Sequence, residues 1–103
     1  MRLAFIPLAE QDLEAIADYI AADNPVRALS FVRELRTQCQ RITLNPPGYR
    51  LRPELGDRIR SCAHGHHVIF FESNSDVVVI VRILRGARDI PAVFGADPES
   101  PLR

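Results

Sequence analysis

The chain alternates between segments of helical and of strand periodicity, separated by short Pro, Gly and Asn clusters. The opening stretch "RLAFI" predicts a short strand that ends at Pro7, because proline has no N–H to donate to a ladder. From Glu10 to about Ala22, apolar residues recur at helical spacing and acidic residues lie mostly on the other face. The sequence therefore predicts a strand followed by an amphipathic helix.

A second helix is predicted directly after the first. Asn24 is a natural N-cap and Pro25 suits the first helical position. The apolar stripe of this helix consists of Ala28, Val32, Leu35, Cys39 and Ile42. The motif "NPPG" that follows predicts an end near Leu44, because proline denies helical geometry to the residue before it. Two helices joined this tightly form an antiparallel hairpin.

The second half of the chain predicts three consecutive antiparallel strands. After a loop through "YRLRPELGD", the segment "RIRSCA" alternates arginines with Ile59, which indicates a strand with one basic face. A turn at His64–Gly65 leads into "HHVIFFE", and "SNSD" separates that segment from "VVVIVRIL". The predicted fold is α+β in the order β-α-α-β-β-β, with the helical hairpin packed on a small, mainly antiparallel sheet.

Length and composition limit the classes of protein to consider. The 103 residues indicate one domain over residues 1–103, of which about 95–103 is expected to be a flexible tail. Thirteen basic and thirteen acidic residues cancel, which argues against a wholesale polyanion-binding surface. The N-terminus has only a short apolar stretch, so neither a signal peptide nor a membrane span is predicted and a cytoplasmic protein is expected.

The two cysteines, Cys39 and Cys62, fall inside predicted elements without the spacing of a metal site. A reducing cytoplasm would leave them as thiols, and we expect both to be small buried hydrophobic residues. No metal and no cofactor is expected.

The order of elements carries a resemblance to a known family. With "DLEAIADYI", "RALSFVREL", "RPELG", "HHVIFFE" and "VVVIVRILRGARDI", the chain resembles the ParE branch of the RelE/ParE toxin superfamily. The strongest match is the hydrophobic strand that runs into "ILRGARDIP". The resemblance implies a bacterial toxin of a type II toxin–antitoxin pair that a cognate antitoxin holds inactive. ParE-like members act on DNA gyrase and are not known to be nucleases, whereas RelE-like members cleave messenger RNA on the ribosome.

Two features of the chain favour gyrase inhibition over RNA cleavage. A metal-free ribonuclease needs acid–base groups beside fixed cations. In RelE-like sequences a basic residue near the end of the last strand is followed six residues later by a tyrosine, and here that register runs from Arg88 to Phe94, which has no hydroxyl. All thirteen basic residues are arginine, so the lysines of the RelE basic cluster are missing as well. A non-enzymatic toxin is expected; an mRNA endonuclease and a non-toxic antitoxin-binding module are the alternatives.

The histidines offer the remaining route to catalysis. His64 flanks a turn, and His66 and His67 should point to opposite faces of a strand, which does not form a shared site. Roles in the turn and in packing are favoured over a catalytic or metal-binding role.

The last predicted strand ends in three arginines, and Gly86 allows the chain to leave it sharply. The predicted target-binding residues are Arg82, Arg85 and Arg88. The alternative is that Arg88 pairs with Asp89 and merely fixes the exit of the chain.

Further candidate contacts with target or antitoxin are Arg58, Arg60 and Phe94. The chain holds eight arginines between residues 27 and 60, and for those of the second helix a solvated face with intramolecular ion pairs is favoured. The expected partners are the cognate antitoxin and DNA gyrase, with no membrane contact and no direct sequence-specific binding of nucleic acid.

Overall fold

The computed structural model describes residues 1–86. In chain order its elements are β1 (Arg2–Phe5), α1 (Pro7–Ala21), α2 (Pro25–Ile42), a 3-10 turn (Pro46–Gly48), β2 (Arg50–Leu51), β3 (Arg60–His64), β4 (His67–Ser73) and β5 (Val77–Arg85). Neither α1 nor α2 combines the length and the hydrophobicity that a membrane crossing requires.

The five strands form one sheet in the order β1-β5-β4-β3-β2. Strands β2 to β5 pair antiparallel, and β1 pairs parallel with β5. The predicted α+β fold with a mainly antiparallel sheet is confirmed. Strand β2 was not predicted, because two residues are too few to show alternation and the sequence there reads as a loop.

Both helix starts have a local chemical cause. Helix α1 begins at Pro7, three residues before the predicted start at Glu10, because proline at the first position loses no hydrogen bond. At α2 the side chain of Asn24 accepts from the backbone N–H of Arg27 at 3.0 Å, which confirms the predicted N-cap. Helix α2 ends at Ile42, just before the proline pair.

The helical hairpin covers one face of the sheet. The largest buried side chains of this core are Leu35, Ile42, Ile69, Phe71, Val78, Ile80 and Ile83. A smaller cluster lies on the other face, where Leu55 and Ile59 of the loop between β2 and β3 pack against Phe70. The loop that contains "RPELG" therefore has a structural role as cover for the second face.

Both cysteines are free and buried in the main core, as expected. Burial, with a smaller contribution from the neighbouring Cys62, raises the pKa of Cys39 to about 12. Cys39 is thus a neutral thiol at physiological pH and acts as a small hydrophobic side chain.

Candidate functional site

The end of β5 is held by an internal ion pair, which we call the Asp12–Arg82 clamp. Arg82 donates to Asp12 from Nε to Oδ2 at 2.8 Å and from Nη2 to Oδ1 at 2.9 Å. The two side chains are only 22% and 13% exposed, and the hydrogen bond from Arg82 to Asp12 raises the pKa of the guanidinium. Arg82, the first predicted target-binding residue, therefore contributes to the fold through α1.

Asp12 also accepts a hydrogen bond from the backbone of β5 where no neighbouring strand of residues 1–86 does. Strand β1 ends opposite Ile80, so α1 lies beside the remaining part of β5. There the Oδ2 atom of Asp12 accepts from the backbone N–H of Ile83 at 2.9 Å. One carboxylate thus satisfies a backbone donor that the ladder leaves open and also pairs with Arg82. Its sequence signal is that Asp12 stands four and eight residues before Ile16 and Ile20, in line with the apolar stripe of α1.

A β-bulge lies next to the clamp. Phe70 faces Arg82 while Phe71 faces Ile80, so Val81 is an extra residue in β5. The extra residue shifts the alternation by one position. The next buried residue after Ile80 is therefore Ile83 and not Arg82. The nearly continuous apolar run "VVVIVRIL" does not indicate this irregularity.

Arg85 is the exposed arginine at the end of β5. Its guanidinium carbon lies 5.6 Å from the ring centroid of Tyr19, and it has no carboxylate partner within residues 1–86. Gly86 follows with φ of 74°, a conformation that favours glycine, and donates its N–H to the carbonyl of His66 at 2.9 Å. Arg88 and Phe94, the other candidates near this end, lie outside the described residues.

Arg58 and Arg60 occupy different environments. Strand β3 begins only at Arg60, whose Nη1 donates to the carbonyl of Tyr49 at 2.8 Å and so ties the strand to the loop after α2. Arg58 lies in the loop before β3 and lines a shallow pocket that includes Val79. The predicted strand therefore starts two residues too early, and Arg58 does not share a strand with Arg60.

The arginines of α2 make the favoured intramolecular pairs at two positions. Arg27 pairs with Glu34, and Arg36 lies 3.2 Å from Glu10 of α1. These groups are nearly half exposed, so each pair adds little to stability. Arg33 is exposed and has no acidic partner in the described part of the chain.

An open cavity of about 500 Å³ lies between the helical hairpin and the turn that joins β3 to β4. The apolar part of its lining comes from Ala15, Ile16, Tyr19, Ile20 and Phe31. Four groups that can carry positive charge also line it, namely Arg27, Arg85, His66 and His67. Sequence reasoning did not find this cavity, because its walls come from four segments far apart in the chain.

The histidines pack beside this cavity. His64 Nε2 lies 3.2 Å from Glu34 Oε1, and the rings of His64 and His67 contact Phe31 at centroid distances of 5.7 and 5.1 Å. The expectation that His66 and His67 point to opposite faces is wrong: both line the cavity, because His66 belongs to the turn and β4 begins at His67. These contacts agree with the favoured turn and packing roles.

His67 carries the one buried side-chain polar atom without a hydrogen-bond partner among the described residues, its Nδ1. Burial, followed by the nearby charges of Arg85, His66 and His64, lowers the pKa of His67 below its ordinary value of 6.5. Residues 1–86 contain no group of three or more metal-binding side chains.

The depressed pKa of His67 predicts a pH-dependent stability. The unfolded chain binds a proton near pH 6.5 while the folded chain does not, so the contribution of His67 is present above that pH and is lost as the pH falls through the folded pKa. We expect the free energy of unfolding to fall more steeply from about pH 7 to about pH 5 in the wild type than in His67→Gln. Urea denaturation of the wild type and of His67→Gln across this pH range measures the difference. Parallel slopes for wild type and His67→Gln would contradict it.

Comparison with known proteins identifies a family and a fold for this chain. A family model for the ParE toxin of the type II toxin–antitoxin system parDE matches residues 3–90. A solved structure of the chromosomal ParDE toxin–antitoxin system from P. aeruginosa superposes with a TM-score of 0.72 at 24% identity, covering 84% of this chain and 97% of that chain. It shows the same fold. No curated protein matches significantly.

Proposed function

The chain belongs to the ParE toxin family of type II toxin–antitoxin systems, and we propose that it inhibits DNA gyrase in the cytoplasm and is neutralised by a cognate antitoxin. The observation that carries the proposal is the family match, which runs through β5 and includes Arg88 after it. At the end of β5 the exposed Arg85 lacks an acidic partner within residues 1–86, as expected of a residue that binds another molecule.

Action by binding, without catalysis, is supported by the environments of the ionisable groups. His64 contacts Glu34, and His67 is a half-buried imidazole whose pKa is lowered. Arginine does not exchange protons near neutral pH, so Arg82 and Arg85 cannot act as an acid–base pair. The register from Arg88 to Phe94 supplies no hydroxyl for proton transfer.

The candidate contacts rank differently once their environments are considered. Arg85 is the described residue best suited to touch the target, together with Arg88 beyond it. Arg82 supports them from within the clamp. Arg58 is exposed and remains a candidate contact, whereas Arg60 is held by the carbonyl of Tyr49. Phe94 stays a proposed contact.

A supercoiling assay with purified gyrase tests the proposal. We expect the chain to inhibit supercoiling, and the cognate antitoxin to restore it when added in excess. A parallel assay follows transcript cleavage on ribosomes. Cleavage with unaffected supercoiling would establish the mRNA endonuclease instead, and inactivity in both assays would leave an antitoxin-binding module without toxicity.

A further inference from the structure

The β-bulge at Val81 decides on which face of the sheet β5 ends. Ile80, just before the bulge, points into the core beneath the helical hairpin. If the strand continued to alternate regularly, Leu84 would point the same way and Arg85 would point to the opposite face. The extra residue reverses this arrangement. Ile83 now occupies the next core position, and Leu84 packs against the cluster on the second face.

Arg85 therefore ends on the face of the sheet that the helices cover. Its partner across the ladder is His67, whose ring lies 5.1 Å from that of Phe31 in α2. On the other side, the guanidinium carbon of Arg85 lies 5.6 Å from the ring centroid of Tyr19 in α1. A change of register by one residue would remove the guanidinium from both helices.

Asp12 holds the residues that follow the bulge. The register of β1 with β5 ends at Ile80, and α1 lies beside the part of β5 that follows. There Asp12 accepts from the backbone N–H of Ile83 at 2.9 Å and from the guanidinium of Arg82 at 2.8 and 2.9 Å. A two-pronged pair of this kind has a defined orientation as well as a charge. The two residues after the extra one are thus fastened to the helix that carries Tyr19.

We propose that Asp12 is a positioning residue for target binding, which holds the bulged register of β5 and so keeps Arg85 beside Tyr19. This inference rests on the proposed function, in which Arg85 contacts gyrase. Asp12 acts through Arg82 and the N–H of Ile83 and has no contact with the target of its own. Its role requires two acceptor oxygens, because one serves the backbone and Nε while the other serves Nη2. Asparagine has one acceptor and would place an N–H donor against the guanidinium.

A double-mutant cycle separates positioning from general stability. We expect Asp12→Asn to raise the concentration needed for half-inhibition of gyrase by about fivefold or more in the wild-type background. In the Arg85→Ala background the same change should have less than about a twofold effect, because the positioned residue is gone. A mere loss of folded protein would act equally in both backgrounds. Glu10→Gln is the matched control on α1, since Glu10 is about half exposed, and should change inhibition by less than about twofold in either background.

Nuclear Overhauser effects report the position of Arg85 without gyrase. We expect contacts between the side-chain protons of Arg85 and the ring protons of Tyr19 in the wild type, and a loss of half or more of their intensity in Asp12→Asn. The edge-to-face contact of Tyr49 with Phe71, at a centroid distance of 5.7 Å, is the internal control and should stay unchanged. A general loosening of the core would weaken both contacts.

A second variant, Arg82→Lys, keeps the positive charge but loses the two-pronged pairing, and should show the same dependence on Arg85. It decides the result if Asp12→Asn does not fold. If the folded variants keep the contact of Arg85 with Tyr19, or weaken inhibition equally in both backgrounds, Asp12 is not a positioning residue while gyrase inhibition stands. If the wild type does not inhibit supercoiling, the proposed function fails, and the Overhauser contacts alone decide whether Asp12 positions Arg85.

Discussion

Replacing Asp12 by alanine is expected to lower the free energy of unfolding by about 2–4 kcal/mol. The change leaves the guanidinium of Arg82 largely buried without its carboxylate and removes the acceptor of the Ile83 N–H. Glu10→Ala is the matched control, since it removes an acid of α1 whose arginine partner, Arg36, is about half exposed. That control should cost about 1 kcal/mol or less. Urea denaturation of both variants provides the measurement.

A double variant distinguishes the cost of leaving one buried charge unpaired from the contribution of the ion pair itself. Replacing Asp12 and Arg82 together by leucine removes both charges, so we expect it to recover part of the stability that Asp12→Ala loses. Equal losses for Asp12→Ala and Glu10→Ala would show that the clamp contributes no more than a surface pair.

Arg85→Ala and Arg88→Ala are each expected to weaken gyrase inhibition by about tenfold or more, whereas Arg33→Ala should change it by less than about threefold. Each substitution removes one guanidinium, so net charge changes equally. Arg85 ends a rigid strand, while Arg33 lies on the outer surface of α2. Arg82→Ala should also reduce inhibition, but this variant loses stability as well. Its free energy of unfolding, compared with that of Asp12→Ala, shows how much of the effect comes from the fold. The assay is supercoiling by purified gyrase at physiological salt.

The salt dependence of these effects can contradict the prediction. If alanine at Arg85, Arg88 and Arg33 reduces inhibition equally, and the effect disappears as ionic strength rises, diffuse electrostatics accounts for binding. If Arg88→Ala unfolds the protein, the pair of Arg88 with Asp89 is structural and the assignment of Arg88 to the target fails.

The order of the elements other than β2 could be predicted because its signals are local. Asn24 and Pro25 mark the start of α2 within two residues, and "SNSD" marks the last hairpin within four. The bulge at Val81 could not be predicted, because it arises from the pairing of β5 with β4. Local patterns therefore determined the elements and left their irregularities open.

For the candidate site, the sequence predicted which types of residue take part but not which of them are paired. The arginines at the end of β5 stand out in the sequence, but nothing local shows that Arg82 is paired while Arg85 is not. Their difference depends on Asp12, seventy residues away in the chain. The cavity likewise requires Tyr19, Phe31 and His67 to meet from three elements. Long-range packing decides which cations remain available to a partner.

The parallel pairing of β1 with β5 also sets when the toxin can form during synthesis. Residues 2–5 pair with residues 77–80, so the first strand made has no partner until nearly the whole described chain has left the ribosome. Helix α1 likewise lacks Ile83 and Arg82, the groups that Asp12 binds. Contacts this distant in sequence form late. A growing chain therefore has neither the finished sheet nor the cavity, and both arise together only after β5 has been made.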